Sequence, residues 1–211
     1  MTLTSLARLK APPGLVVMGA TDLDDRTSVV LLGAGRDLWP VFTATAEYAD
    51  GERDPLDRWS KRVIGALAAK LNARAAYPSD GPPYLPFISW ALQTGRFFQS
   101  PTGMMIHDEA GLMISIRGAL LFDVPIRLEQ VSQASPCDRC TDKPCVSACP
   151  VAALSATHAY DVPKCKAFLD TVDGADCMSQ GCRVRRACPV SQEFGRLPIQ
   201  SAFHMRAFHP Q

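Results

Sequence analysis

All eight cysteines of this 211-residue chain lie between Cys137 and Cys188, about a quarter of its length. They form two blocks: Cys137-x2-Cys140-x4-Cys145-x3-Cys149-Pro150, and Cys165-x11-Cys177-x4-Cys182-x5-Cys188-Pro189. Cysteines used as small core residues scatter through a chain, so this crowding marks a local demand for sulfur. Disulfides, structural zinc and iron–sulfur clusters are the three chemistries that could use it. Disulfides need an oxidising compartment. The N-terminus, MTLTSLARLKAPPGLVVMGA, is interrupted by Arg8, Lys10, Pro12 and Pro13 and does not read as a secretory leader, so a cytoplasmic location is expected. Zinc accepts four thiolates, usually from two C-x2–4-C knuckles, and gives no reason for two Cys-Pro endings. Iron–sulfur chemistry accounts best for the whole pattern, with zinc the runner-up.

Two-cluster ferredoxins use a C-x2-C-x2-C-x3-C-P run whose fourth cysteine ligates the other cluster. Applied here, that crossing assigns Cys137, Cys140, Cys145 and Cys188 to one [4Fe–4S] cluster. It assigns Cys149, Cys165, Cys177 and Cys182 to a second. The x4 and x5 gaps are longer than the strict run and leave a [3Fe–4S] or an incomplete site open. Arg139, Lys143, Lys164, Lys166, Arg183, Arg185 and Arg186 crowd the same region. Their charge would offset that of a cluster, or would simply keep the surface wet.

The rest of the chain has to position this region. With 47% hydrophobic and 20% charged residues it has the composition of a globular protein. Its net charge of +1 gives no electrostatic case for nucleic acid or membrane surfaces, and no apolar run is long enough to span a bilayer. Ser28–Leu32 reads as a buried strand. The Gly33-Ala34-Gly35 that follows is a turn rather than a dinucleotide loop, because Trp39-Pro40 stands where the helix should begin. The clearest helix starts with Asp54 as its cap and Pro55 in its first turn, buries Leu56, Trp59, Val63, Leu67 and Leu71, and ends near Asn72. YPSDGPPYLPF (residues 77–87) packs four prolines into eleven positions and must be a rigid loop. A short helix over Ile88–Leu92 follows. Thr102–Ile106 and Leu112–Phe122 read as a β-hairpin around His107-Asp108-Glu109-Ala110-Gly111. That turn is read as solvated, in preference to a His107, Asp108, Glu109 metal trio. Asp123–Ser135 reads as a linker.

The expected fold class is α+β: an N-terminal α/β sandwich-type domain (residues 1–125), then a C-terminal ferredoxin-like two-cluster domain (residues 126–211). The cysteine region resembles the ferredoxin module of the epoxyqueuosine reductase family, which is related to corrinoid reductive dehalogenases. Cys165, in KCKAFLD, matches that family's lone cysteine opening a helix. Cys177, Cys182 and Cys188-Pro189 match its closing three. Upstream, DPLDRWSKR and PTGMMIHDEAGLMISIRGALLFD are similar to family segments before the clusters, and YPSDGPPYLPFISWAL falls where the family carries its proton-donating aspartate. The resemblance implies Asp80 as proton donor and cobalamin as a second cofactor, with Tyr84, Phe87 and Trp90 as candidates for its face. Two functions follow. One is a corrinoid-dependent reductase fed by a flavodoxin- or ferredoxin-type donor and acting on a small-molecule or corrinoid acceptor. The other is a non-catalytic electron carrier docking a partner enzyme. A zinc-stabilised interaction protein is the third alternative.

Overall fold

The computed structural model of the chain describes residues 9–126 and 134–210. The expected N-terminal segment is therefore covered only from residue 9, and residues 127–133 of the expected linker lie outside the described part. The architecture is mixed α and β with antiparallel sheets. The strands are β1 (Leu15–Asp22), β2 (Ser28–Ala34), β3 (Arg74–Ala76), β4 (Phe97–Gln99), β5 (Met105–His107) and β6 (Ile116–Phe122). The α-helices are α1 (Leu38–Thr43), α2 (Ala46–Ala49), α3 (Pro55–Leu71), α4 (Phe87–Gln93), α5 (Val162–Leu169), α6 (Ala175–Gln180), α7 (Arg183–Ala187), α8 (Pro189–Phe194) and α9 (Pro198–Phe208). Among the described residues no helix is long and apolar enough to cross a membrane.

The chain divides into two compact units, and not at one boundary. One unit runs through Arg96 and resumes at Ser115; the other takes Phe97–Ile114 and everything from Ala134 onward. The segment 97–114 thus leaves the N-terminal span and joins the cysteines. The reason is apolar packing: Ile106 and Leu112 share one buried cluster with Cys145, Leu154, Val184 and Cys188, and Phe98 and Met104 pack against it.

In the first unit an antiparallel sheet runs in the order β1-β2-β6-β3. Every residue of β2 is buried, which is why SVVLL reads as a continuous apolar run. Strand β6 is the other interior strand and pairs with β2 and β3. The expected hairpin of residues 102–106 with 112–122 therefore does not form; β5 pairs with β4 instead. Helix α3 packs on β6, and Gly118 of β6 lets it close in, since a Cβ there would lie 2.8 Å from Ile64 Cδ1. Arg117 adds a polar clasp, donating to Ser60 Oγ at 3.1 Å and to the Asp57 carboxylate.

Helix α3 begins and ends where the sequence places it, but two details differ. Asp54 occupies the N-cap position with φ +51° and makes no side-chain capping bond, while Asp57 serves Arg117. The buried face is Leu56, Trp59, Ser60, Ile64 and Ala68, rotated from the expected one; Val63, Leu67 and Leu71 are half-buried. Gly33 belongs to β2, and Gly35 extends the β1–β2 pairing by donating to Gly14 O at 2.9 Å, then opens a turn in which its carbonyl accepts the Leu38 N–H at 3.2 Å. A helix does start next, α1, with Pro40 in its first turn, where a missing N–H costs nothing.

The second unit holds the β4–β5 hairpin and helices α5–α9, with no strand among its described residues from Ala134 onward.

Candidate metal centre

The cysteines of the first block sit on tight turns. Ser135 accepts the Cys137 N–H at 3.2 Å and caps a single 3-10 turn, Pro136–Asp138. A second 3-10 turn, Pro144–Val146, carries the buried Cys145 and is entered through Lys143 in the left-handed region (φ +41°). After Cys149-Pro150 the chain turns again. Ala152 takes φ +50°, and the Ala153 N–H is aimed at Cys149 Sγ, 3.2 Å away. The second block is helical instead. Cys165 lies in the first turns of α5 and Cys177 within α6; Cys182 is the N-cap of α7, and Cys188 joins α7 to α8. Pro189 fills the first position of α8, where its fixed φ is already helical.

These elements sort the eight sulfurs into two sets. Cys137, Cys140, Cys145 and Cys188 line one cavity of about 450 Å³. Cys149, Cys165, Cys177 and Cys182 line a second, apolar and much tighter, of about 20 Å³. The thiols respond to each other in the same groups. Burial pushes the Cys145 thiol up, and the neighbouring Cys188, Cys137 and Cys140 push the same way. Burial also raises Cys165, with Cys182 and Cys149 adding to it and a hydrogen bond from Tyr160 opposing. For Cys177 burial again leads, against the Arg183 backbone N–H that bonds the sulfur. Among these sulfurs Cys149 receives a backbone N–H, that of Ala153.

Among the described residues no group of three or more His, Cys, Asp or Glu side chains is placed to hold one metal ion. A zinc site sets four sulfurs about 2.3 Å from a single point, hence within about 3.8 Å of one another. A cubane, whose thiolates bind four separate irons, needs a wider ring. The first cavity, of about 450 Å³, has room for such a group. At the second the donor set has the right chemistry, but the sulfurs must spread to admit anything larger than water.

The basic residues divide by task. Arg183 and Arg186 both pair with Asp176, the former at 2.7 Å, and Arg186 Nε donates to Gly181 O at 3.0 Å, tying α6 to α7. Arg185 donates to the Leu112 carbonyl and Arg196 to that of Met113. Lys166 lies over the Phe208 ring. Arg139 and Lys143 are exposed and line the first cavity.

Residues far from the cysteines in sequence complete that cavity: Ser100, Pro101, Ile106, Asp108 and Leu112 all line it. No local signal marks them. His107, expected in a solvated turn, is buried at 2% exposure with its ring edge-on to Phe97. Its Nδ1 accepts the N–H groups of Glu109 and Ala110, each at 3.1 Å, and so holds the turn rather than a metal. Asp108 Oδ1 also lies 3.1 Å from that nitrogen.

The residues proposed for a corrinoid site differ in their surroundings. Asp80 is half-exposed, ion-paired to Lys61 at 2.9 Å, and accepts the Tyr77 N–H at 3.1 Å. Tyr84 points outward at 72% exposure. Phe87 and Trp90 are buried with their rings 5.1 Å apart, as core residues of α4. Comparisons with protein-family models, curated proteins and solved structures returned no match.

Proposed function

We propose that this chain is an electron-transfer protein whose cysteine-bearing unit holds two [4Fe–4S] clusters in a crossed, ferredoxin-like arrangement. Cys137, Cys140, Cys145 and Cys188 would hold the first; Cys149, Cys165, Cys177 and Cys182 the second. One observation carries this: the last cysteine of each block lines the cavity of the other block, as the crossing requires. When bound, each cluster supplies a one-electron couple. The chain's own groups bury Cys145, Cys177 and Cys188, present the Ala153 N–H to Cys149, and leave little room for water at the second site. A flavodoxin- or ferredoxin-type protein would be the donor. Anaerobically purified protein should be brown, bleach with dithionite, and carry about eight irons and eight sulfides per chain. Colourless protein with stoichiometric zinc would overturn the proposal.

A carrier is favoured over a corrinoid-dependent reductase of the epoxyqueuosine type. Asp80 is committed to Lys61 at the surface, and Phe87 and Trp90 are committed to the core of their own unit. Titration with cobalamin separates the two. A base-off spectral change on binding would restore the reductase; an unchanged spectrum is expected.

A further inference from the structure

Strands β4 and β5 are joined through Ser100-Pro101-Thr102-Gly103. The Gly103 N–H donates to Ser100 O at 3.0 Å, and the Ser100 N–H donates to Met104 O at 2.8 Å. Serine first, proline second and glycine fourth suit such a turn, and Gly103 has φ +77°. The backbone of Ser100 is thus committed to the turn. Its hydroxyl meets that of Thr102, with the two oxygens 3.1 Å apart in residues only 5% and 3% exposed. Two hydroxyls carry two protons, and the bond between them uses one. The other meets no acceptor among the described residues, and a buried donor left so is unfavourable. Where that proton goes follows from which residue reaches the first cavity. Ser100 lines it together with Cys137, Cys140, Cys145 and Cys188, and Thr102 does not. With Thr102 donating to Ser100 Oγ, the Ser100 proton faces the cavity; the reverse direction leaves the spare proton on Thr102, away from it. The turn is also fixed against the sulfurs, because Ile106 and Leu112 bury with Cys145 and Cys188, and Phe98 and Met104 pack on that cluster.

We propose that Ser100 donates a hydrogen bond from its hydroxyl to a sulfur of the group bound in the first cavity, with the Thr102 hydroxyl donating to Ser100 from behind. The proposal rests on the reading of that cavity as a cluster site and is independent of the second quartet. A donor to a cluster sulfur stabilises the reduced, more negative form more than the oxidised one, and so raises the potential. The Thr102 hydroxyl strengthens the effect, since a hydroxyl that accepts one hydrogen bond donates a better one. The segment 97–114 then does more than bury the first set of cysteines: it brings them a polar group that no residue near them in sequence supplies.

The test is Ser100→Ala in the anaerobically purified, loaded chain, with potentials followed by a dithionite titration read by electron paramagnetic resonance. The centre concerned is the one lost in Cys188→Ala. Its reduction equilibrium should become three- to tenfold less favourable, a downward shift of about 28–59 mV for one electron. Iron content and the potential of the other centre should stay as in the wild type. Thr102→Val leaves the cavity wall in place and should lower the same potential about twofold, or about 18 mV. If Ser100→Ala does not load, the Thr102→Val shift decides, and its absence overturns the proposal. A loaded Ser100→Ala chain with unchanged potentials overturns the proposal and leaves the two-cluster reading standing; equal shifts at both centres overturn it as well. A wild-type chain that carries the first centre alone overturns the two-cluster reading but leaves the Ser100 measurement decisive. A wild-type chain without iron overturns both.

Discussion

The first cavity depends on a contact made by a residue with no side chain. Gly111 has φ +59°, and a Cβ built on it would lie 2.4 Å from the Ser191 backbone N, 2.6 Å from Ser191 Oγ and 2.8 Å from Ser191 Cα. Two of those atoms belong to the backbone of α8 and cannot rotate away. The same approach lets the Leu112 N–H donate to Ser191 Oγ at 2.8 Å, one residue pair from where Leu112 joins the buried cluster with Cys188. Gly111→Ala adds a left-handed alanine, at about 1 kcal/mol, and overpacking of about 1–3 kcal/mol. Relief of the clash breaks the Leu112–Ser191 bond, worth about 1 kcal/mol more. The total of about 3–5 kcal/mol is a large part of the stability of a small domain. Gly103→Ala is the control, because Gly103 has φ +77° in the same segment and nothing within 4 Å of the new Cβ. It should cost about 1 kcal/mol, the conformational part alone. Hydrogen exchange in the loaded protein is the assay, read at the amides of Leu112 and of α8, since two units need not unfold in one step. Gly111→Ala should lower protection there by at least about 2 kcal/mol more than Gly103→Ala, with iron lost first from the Cys137 centre. Equal losses in the two variants would refute the claim that Gly111 is there to admit Ser191.

Three further outcomes follow from the geometry. Cys188→Ala should damage the centre shared with Cys137, Cys140 and Cys145, whereas Cys177→Ala should spare it; the reverse pattern in iron content and paramagnetic resonance would exclude the crossing. The quartets should load in order, because the first already encloses about 450 Å³ and the second about 20 Å³. Iron uptake should thus be faster in Cys177→Ala than in Cys188→Ala, and equal rates would count against it. The Arg62 guanidinium beside Glu47 holds its carboxyl down at about 2, from an ordinary 4.5. A depressed carboxylate stabilises the fold above its unfolded value, and that contribution should fade as pH falls from about 4.5 towards about 2. With Arg62 largely exposed, it should be no more than about 1 kcal/mol, and Glu47→Gln should remove that share of the pH dependence, leaving the shares of Asp24, Asp50 and Asp176, whose carboxyls are also held down.

What the sequence discloses depends on how local the cause is. Helix α3 is legible because its signals lie within its own residues, from Asp54-Pro55 at one end to Asn72 at the other. Strand β2 is legible because both its faces are buried and the run is unbroken. The partner of β6 is not legible. Met105–His107 is the nearest strand in sequence, but β6 pairs with β2, some ninety residues earlier, and β3. His107 likewise reads as a turn residue until Phe97 covers it. At the cysteines the spacing discloses the two quartets, but not the residues from Ser100 to Leu112 that line the first cavity, whose contribution depends wholly on tertiary contacts.

The two Cys-Pro pairs look like the matching ends of a duplication, yet they do different work. At Cys188 the residue before proline is extended (φ −68°, ψ 123°), as proline demands, and that single extended residue separates α7 from α8. Its sulfur is thereby turned away from the helices that precede it and towards the turns of the first block. At Cys149 no helix follows. The chain folds into a turn through Ala152 in the left-handed region, a conformation costing about 1–2 kcal/mol for a residue with a Cβ. That turn is what aims the Ala153 N–H at the Cys149 sulfur, and its other bond, Asp161 N–H to Ala153 O, fixes the entry to α5. The left-handed turn at Ala152 therefore orients the backbone at Cys149 and fixes the entry to the helix that carries Cys165. The two blocks are each incomplete alone: the first lacks the fourth sulfur that the α7–α8 break supplies, and the second lacks the one that the Ala152 turn presents. The first set comes together only when the chain has folded back from Cys137 to Cys188, and the second only across Cys149 to Cys182, so binding at either should be coupled to folding of that span.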